Sequence, residues 1–109
     1  EIMSACIVYV TCKHSNEAVN IARIILGEKL AACANIIPET IAIFEWNGNI
    51  NENKECVLIL KSVEQSLERL TQRVKDLHSY DVPCILSFPI QGGNSTFIEW
   101  INRNVNNIL

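Results

Sequence analysis

Ala32-Cys33-Ala34-Asn35-Ile36-Ile37-Pro38-Glu39-Thr40-Ile41-Ala42-Ile43-Phe44-Glu45-Trp46-Asn47-Gly48 is the stretch on which the fold turns. Residues 32–46 read as a strand, with Thr40, Ala42, Phe44 and Trp46 on one face and Ile41, Ile43 and Glu45 on the other. Asn47 and Gly48 both tolerate positive φ, the pattern of a type I′ turn, and Asn49-Ile50 begins the return strand. Past the polar residues 51–54, Cys56-Val57-Leu58-Ile59-Leu60 completes a long central hairpin.

Its length carries an argument. A strand over 32–46 runs about 50 Å at ~3.3 Å per residue, whereas a domain of this size has a radius of gyration of about 13 Å. The hairpin must project or kink, and Pro38 is placed to kink it. The far end still carries Ile43, Phe44, Trp46 and Ile50, with too little of one small domain to cover them. An uncovered apolar edge invites pairing with another chain, and a copy of the same chain is the expected partner.

On either side of the hairpin the chain reads as one domain over residues 1–109, with no repeat or linker. Ala5-Cys6-Ile7-Val8-Tyr9-Val10-Thr11-Cys12 is a β-branched run typical of a central strand. Ser15 is the expected cap of a first helix reaching Gly27, with Ala18, Ile21, Ala22 and Ile25 at helical spacing. Ser62 and Gln65 resemble a capping box, and Val63, Leu67, Leu70, Val74 and Leu77 form the stripe of a second helix ending near His78. Residues 82–89 read as a fourth strand with Pro83 at its start. After Gly92-Gly93-Asn94-Ser95, the positions Phe97, Ile98, Ile101, Val105 and Ile108 describe a third helix. The order βαββαβ plus a C-terminal helix predicts an α+β, ferredoxin-like subunit with an antiparallel sheet.

The net charge of −3 comes from interspersed acids and bases. No basic run is present to neutralise phosphates, so nucleic acid is not an expected partner. No apolar stretch has the ~20 residues of a membrane span. Cys6, Cys12, Cys33, Cys56 and Cys84 are an odd set without a C-x-x-C pair, which argues against a disulfide framework or a four-cysteine zinc site. A reducing, cytoplasmic setting fits them best, and the start at Glu1 leaves room for a removed leader. Cys6, Cys33 and Cys56 read as core.

In a βαββαβ sheet the first strand and second helix finish at the edge where the fourth strand starts. Cys12, His14, His78, Asp81 and Cys84 are thereby drawn to one end. A thiolate beside an imidazole suits copper or another soft to borderline cation. The plainer readings are Cys12 as a buried hydrophobe, His78 as a helix cap, and His14 as a solvated loop residue. Glu55 and Lys61 read as surface charges, and Trp46 and Trp100 as apolar anchors. With no G-x-S-x-G, H-E-x-x-H or phosphate-cradling glycine loop, an enzyme is not expected.

Val8-Tyr9-Val10-Thr11-Cys12, the run from Lys29 to Pro38, Phe44-Glu45-Trp46-Asn47-Gly48, His78-Ser79-Tyr80-Asp81-Val82-Pro83 and Pro89-Ile90 with Gly93-Asn94 and Trp100 together resemble the CutA family of divalent-cation tolerance proteins. The resemblance implies a homotrimer whose hairpins reach across subunits, and association with divalent cations, copper especially. It places Cys12 and His78 on positions associated with copper in some members. This chain has Leu77 where a second histidine can stand, Cys84 where glutamate is usual, Ser79 for a usual proline and Phe97 for a frequent tyrosine. The expected metal ligands are Cys12, His78 and Cys84, the last as a ligand favouring softer metals where its position reaches the site and as core filler where it does not. The alternative expectation is a scaffold or sensor like the trimeric PII signalling proteins, binding a small molecule between subunits.

Overall fold

The computed structural model describes residues 3–105. Four strands form one antiparallel sheet in the order β2-β3-β1-β4, with β1 at Ala5–Cys12, β2 at Cys33–Trp46, β3 at Asn49–Val63 and β4 at Ile85–Pro89. The helices are α1 at Ser15–Gly27, α2 at Leu67–Leu77 and α3 at Ser95–Arg103. This is the expected α+β arrangement, and none of these helices is long and apolar enough to cross a membrane.

Antiparallel register decides which side chains share a face. Val8 pairs with Leu60 and Val10 with Leu58, and on the other side of β3 Leu58 pairs with Ile36. This face packs under Ile21 and Ile25 of α1 and Leu70 and Val74 of α2, all without solvent exposure. On the reverse face α3 covers only one end, where Ile101 and Val105 meet Ala5 and Val63. Leu86 and Phe88 stay half exposed.

At the base of the hairpin, Ile37 pairs with Val57 but Thr40 with Glu55, so β2 holds one extra residue at Pro38 and Glu39. Pro38, lacking an N–H, suits such a bulge. The bulge shifts side-chain alternation by one, so that Ile37, Thr40, Ala42, Phe44 and Trp46 share a face. Asn47 (φ 52°) and Gly48 (φ 80°) close the turn as their left-handed preference dictates. The molecule is 49 Å along its longest axis against 26 and 21 Å across, and the ribbon's Ile41, Ile43, Trp46 and Ile50 are all at least 65% exposed.

Several local expectations give way to tertiary contacts. Helix α1 is capped by His14, not Ser15: extended His14 (φ −157°) accepts the Glu17 N–H on Nδ1 at 3.2 Å. Ser62 caps nothing. It belongs to β3, paired with Cys6, and its buried hydroxyl donates to the Leu30 carbonyl at 2.6 Å. Val63 ends the same strand, and Glu64–Ser66 forms a short 3₁₀ turn before α2. The fourth strand starts at Ile85 rather than 82, because pairing with β1 begins after Pro83. Asn94 caps α3 through a bond from the Thr96 N–H, and Ile108 lies outside the described residues. Cys6 and Cys56 are core, whereas Cys33 is only half buried.

Candidate metal centre

β1 ends at Cys12 and α1 begins three residues later, so the first turn of α1 sits beside the strand end. α2 ends at Leu77, and the extended backbone of His78 (φ −82°, ψ 144°) turns the chain back toward β1. Cys12, Glu17 and His78 thereby bring a thiol, a carboxylate oxygen and an imidazole nitrogen within 4.8 Å of one another. Cys84 is not part of this group among the described residues. Its carbonyl instead accepts the Thr11 N–H at 3.4 Å, a backbone contact just ahead of β4. Asp81 is exposed and also outside the group.

Glu17 is the donor that sequence reasoning missed. An acid in the first turn of α1, it accepts from the Lys13 N–H at 3.0 Å and from the Ser79 N–H at 2.9 Å. Burial pushes its carboxyl up, but the bonds from Ser79 and Lys13, with His78 nearby, outweigh that and hold it below its ordinary value. Cys12 is fully buried, and that burial, with Glu17, Cys56 and Glu55 adding to it, pushes the thiol up to about 12.

The partners of His78 define its tautomer. Nε2 lies 2.8 Å from the Thr11 carbonyl, which has no proton to give, so Nε2 carries the hydrogen. Nδ1 accepts the Tyr80 N–H at 3.1 Å and therefore holds the lone pair. Tyr80 stacks at a tilt on the imidazole, 4.9 Å between centroids, and its hydroxyl donates to Glu55 at 2.8 Å. Burial first and then Glu55 push the phenol up to about 12. Beside Tyr80 opens a polar cavity of about 450 Å³ lined by Lys13, Asn53, Lys54, Glu55, Ser79 and Tyr80. A larger groove of about 810 Å³ runs along exposed α2 side chains beside Ser87, away from the donor cluster.

The donor set is chemically suited to a cation. Sulfur, nitrogen and oxygen together match zinc- and copper-type preferences. A ligating histidine usually gives its other N–H to a backbone carbonyl, and for ligation through Nδ1 the Thr11 carbonyl stands in that role. When bound, the ion would supply a positive centre at which Cys12 is held as thiolate.

The family model for the CutA1 divalent ion tolerance protein matches residues 6–104. The chain belongs to that family. It is 39% identical to the chloroplastic CutA of Arabidopsis thaliana over 93% of this chain and 56% of that protein. With the divalent-cation tolerance protein CutA of Thermus thermophilus the identity is 37%, over 90% of this chain and 95% of that one. The crystal structure of CutA1 from Oryza sativa superposes with a TM-score of 0.94 at 36% identity, covering 98% of each chain. The chain spans 53–64% of the length of the plant and vertebrate CutA relatives it matches. Divalent ion tolerance is thus the functional setting of its family.

Proposed function

We propose that this CutA1-family protein is a homotrimer that takes up a copper-type cation at Cys12, Glu17 and His78, and that it works by binding rather than catalysis. The observation that carries the reading is the convergence of three different donors from β1, α1 and the end of α2 within 4.8 Å. Self-association is supported by the exposed apolar surface of the ribbon, Ile41, Ile43, Phe44, Trp46 and Ile50, and by half-exposed Leu86 and Phe88. Large apolar side chains left in water on both faces of a projecting ribbon mark a surface that another chain covers. All five cysteines are free thiols, which supports a reducing compartment such as the cytoplasm.

Cys12 must lose its proton to bind an ion, and its buried thiol releases that proton to solvent on uptake. The test is a copper(I) titration under reducing conditions against a competing chelator. Cys12→Ala is expected to weaken binding by at least about tenfold, the lower range for losing even a supporting contact at a metal site. Cys84→Ala is expected to leave affinity unchanged. Undiminished affinity in Cys12→Ala dismisses the site. The PII-like reading, a scaffold or sensor holding a small molecule between subunits, would be favoured by a nucleotide or metabolite retained between subunits through purification.

A further inference from the structure

Resting on the cation-binding reading above, we propose that the main-chain N–H of Tyr80 is a built-in competitor of the cation for His78, released whenever His78 takes one. The inference follows from a count of protons and lone pairs. A neutral imidazole has one N–H and one lone pair, and in this chain both are in use: Nε2–H on the Thr11 carbonyl and the Nδ1 lone pair on the Tyr80 N–H.

Suppose Nδ1 ligates. Its single lone pair goes to the cation, and the Tyr80 N–H loses its acceptor. Suppose instead that Nε2 ligates. The ring proton must then reside on Nδ1, which has no lone pair left for Tyr80. Through either nitrogen the Tyr80 N–H is released.

Glu17 behaves differently, because each carboxylate oxygen has more than one acceptor site. It keeps the Ser79 N–H at 2.9 Å and the Lys13 N–H at 3.0 Å while presenting another lone pair. The neighbouring amides of Ser79 and Tyr80 thus have opposite fates, one retained and one freed.

The Tyr80 hydroxyl bond to Glu55 at 2.8 Å is a strap that holds this amide in place. Since Tyr80, Glu55 and Ser79 also line the 450 Å³ cavity, cation occupancy alters its wall. The metal centre and the cavity are coupled through one residue.

Amide hydrogen exchange on the full chain, followed by NMR with and without zinc chloride, tests this. Saturating zinc is expected to speed exchange of the Tyr80 amide by about tenfold, the factor for losing one ordinary hydrogen bond, while Ser79 changes little. Tyr80→Phe, which cuts the strap, is expected to bind zinc several-fold more tightly. Zinc that binds in a Cys12-dependent manner while Tyr80 stays as protected as before overturns the inference and leaves the metal centre standing. So does a folded Tyr80→Phe chain with unchanged or weaker affinity. Absence of any Cys12-dependent zinc binding overturns both the inference and the site beneath it.

Discussion

The two halves of the β2–β3 ribbon are continuous in backbone pairing and opposite in environment. At the base, Leu58 and Leu60 lie between Val8, Val10 and the two helices with no exposure at all. Beyond the bulge at Pro38 and Glu39, Ile41 and Ile43 occupy equivalent ladder positions but are 65% and 67% exposed. Hydrogen bonding is therefore not what separates a core strand from a projecting one. The difference is whether another element lies over the face, and past the bulge α1 and α2 no longer do.

That contrast predicts a graded series of effects on the subunit. Leu58→Ala removes a fully buried side chain from the base and is expected to cost about 2–5 kcal/mol, measured by chemical denaturation; a cost below that of a surface substitution would erase the distinction. Ser62→Ala, at the base end of the same strand, strands the buried Leu30 carbonyl by deleting the bond at 2.6 Å. A loss of about 1–3 kcal/mol is expected from the same measurement. At the tip, Ile43→Asp is expected to shift the folding stability of a dissociated subunit by no more than about 0.5 kcal/mol. The same substitution is expected to reduce the mass found by sedimentation equilibrium from that of a trimer to that of a monomer. A wild-type chain that sediments as a monomer would remove the argument for the projecting half.

Most of the architecture was legible because it rests on local periodicity. Alternation along residues 32–46, the Asn47-Gly48 turn and the stripe at Ala18, Ile21, Ala22 and Ile25 each report a face without knowledge of the partner. Element ends were less legible, since long-range contacts decide them. Ser62 has the chemistry of a cap, but ladder pairing with Cys6 and a bond to Leu30 hold it in the strand. His14 caps because its backbone is extended just where α1 begins.

The site divides in the same way. Cys12 and His78 could be drawn together from topology, because a strand end and a helix end at one edge of a sheet are neighbours. Cys84 stands next to them in that topology, yet it bonds β1 through its carbonyl and its thiol is not in the donor group. Glu17 carried no signal as a donor, and Tyr80 none beyond its place in the run from His78 to Pro83.

The amino-acid order by itself determined the sequence of elements, the long ribbon and its apolar tip, because these depend on spacing between near neighbours. Tertiary structure alone decided that Glu17 rather than Cys84 joins Cys12 and His78, and which bonds those donors already make. The bonds from His78 to Thr11 and from Ser79 to Glu17 join residues 67 and 62 positions apart. Contacts at such separation leave no periodic trace, since they exist only once the sheet has brought its ends together.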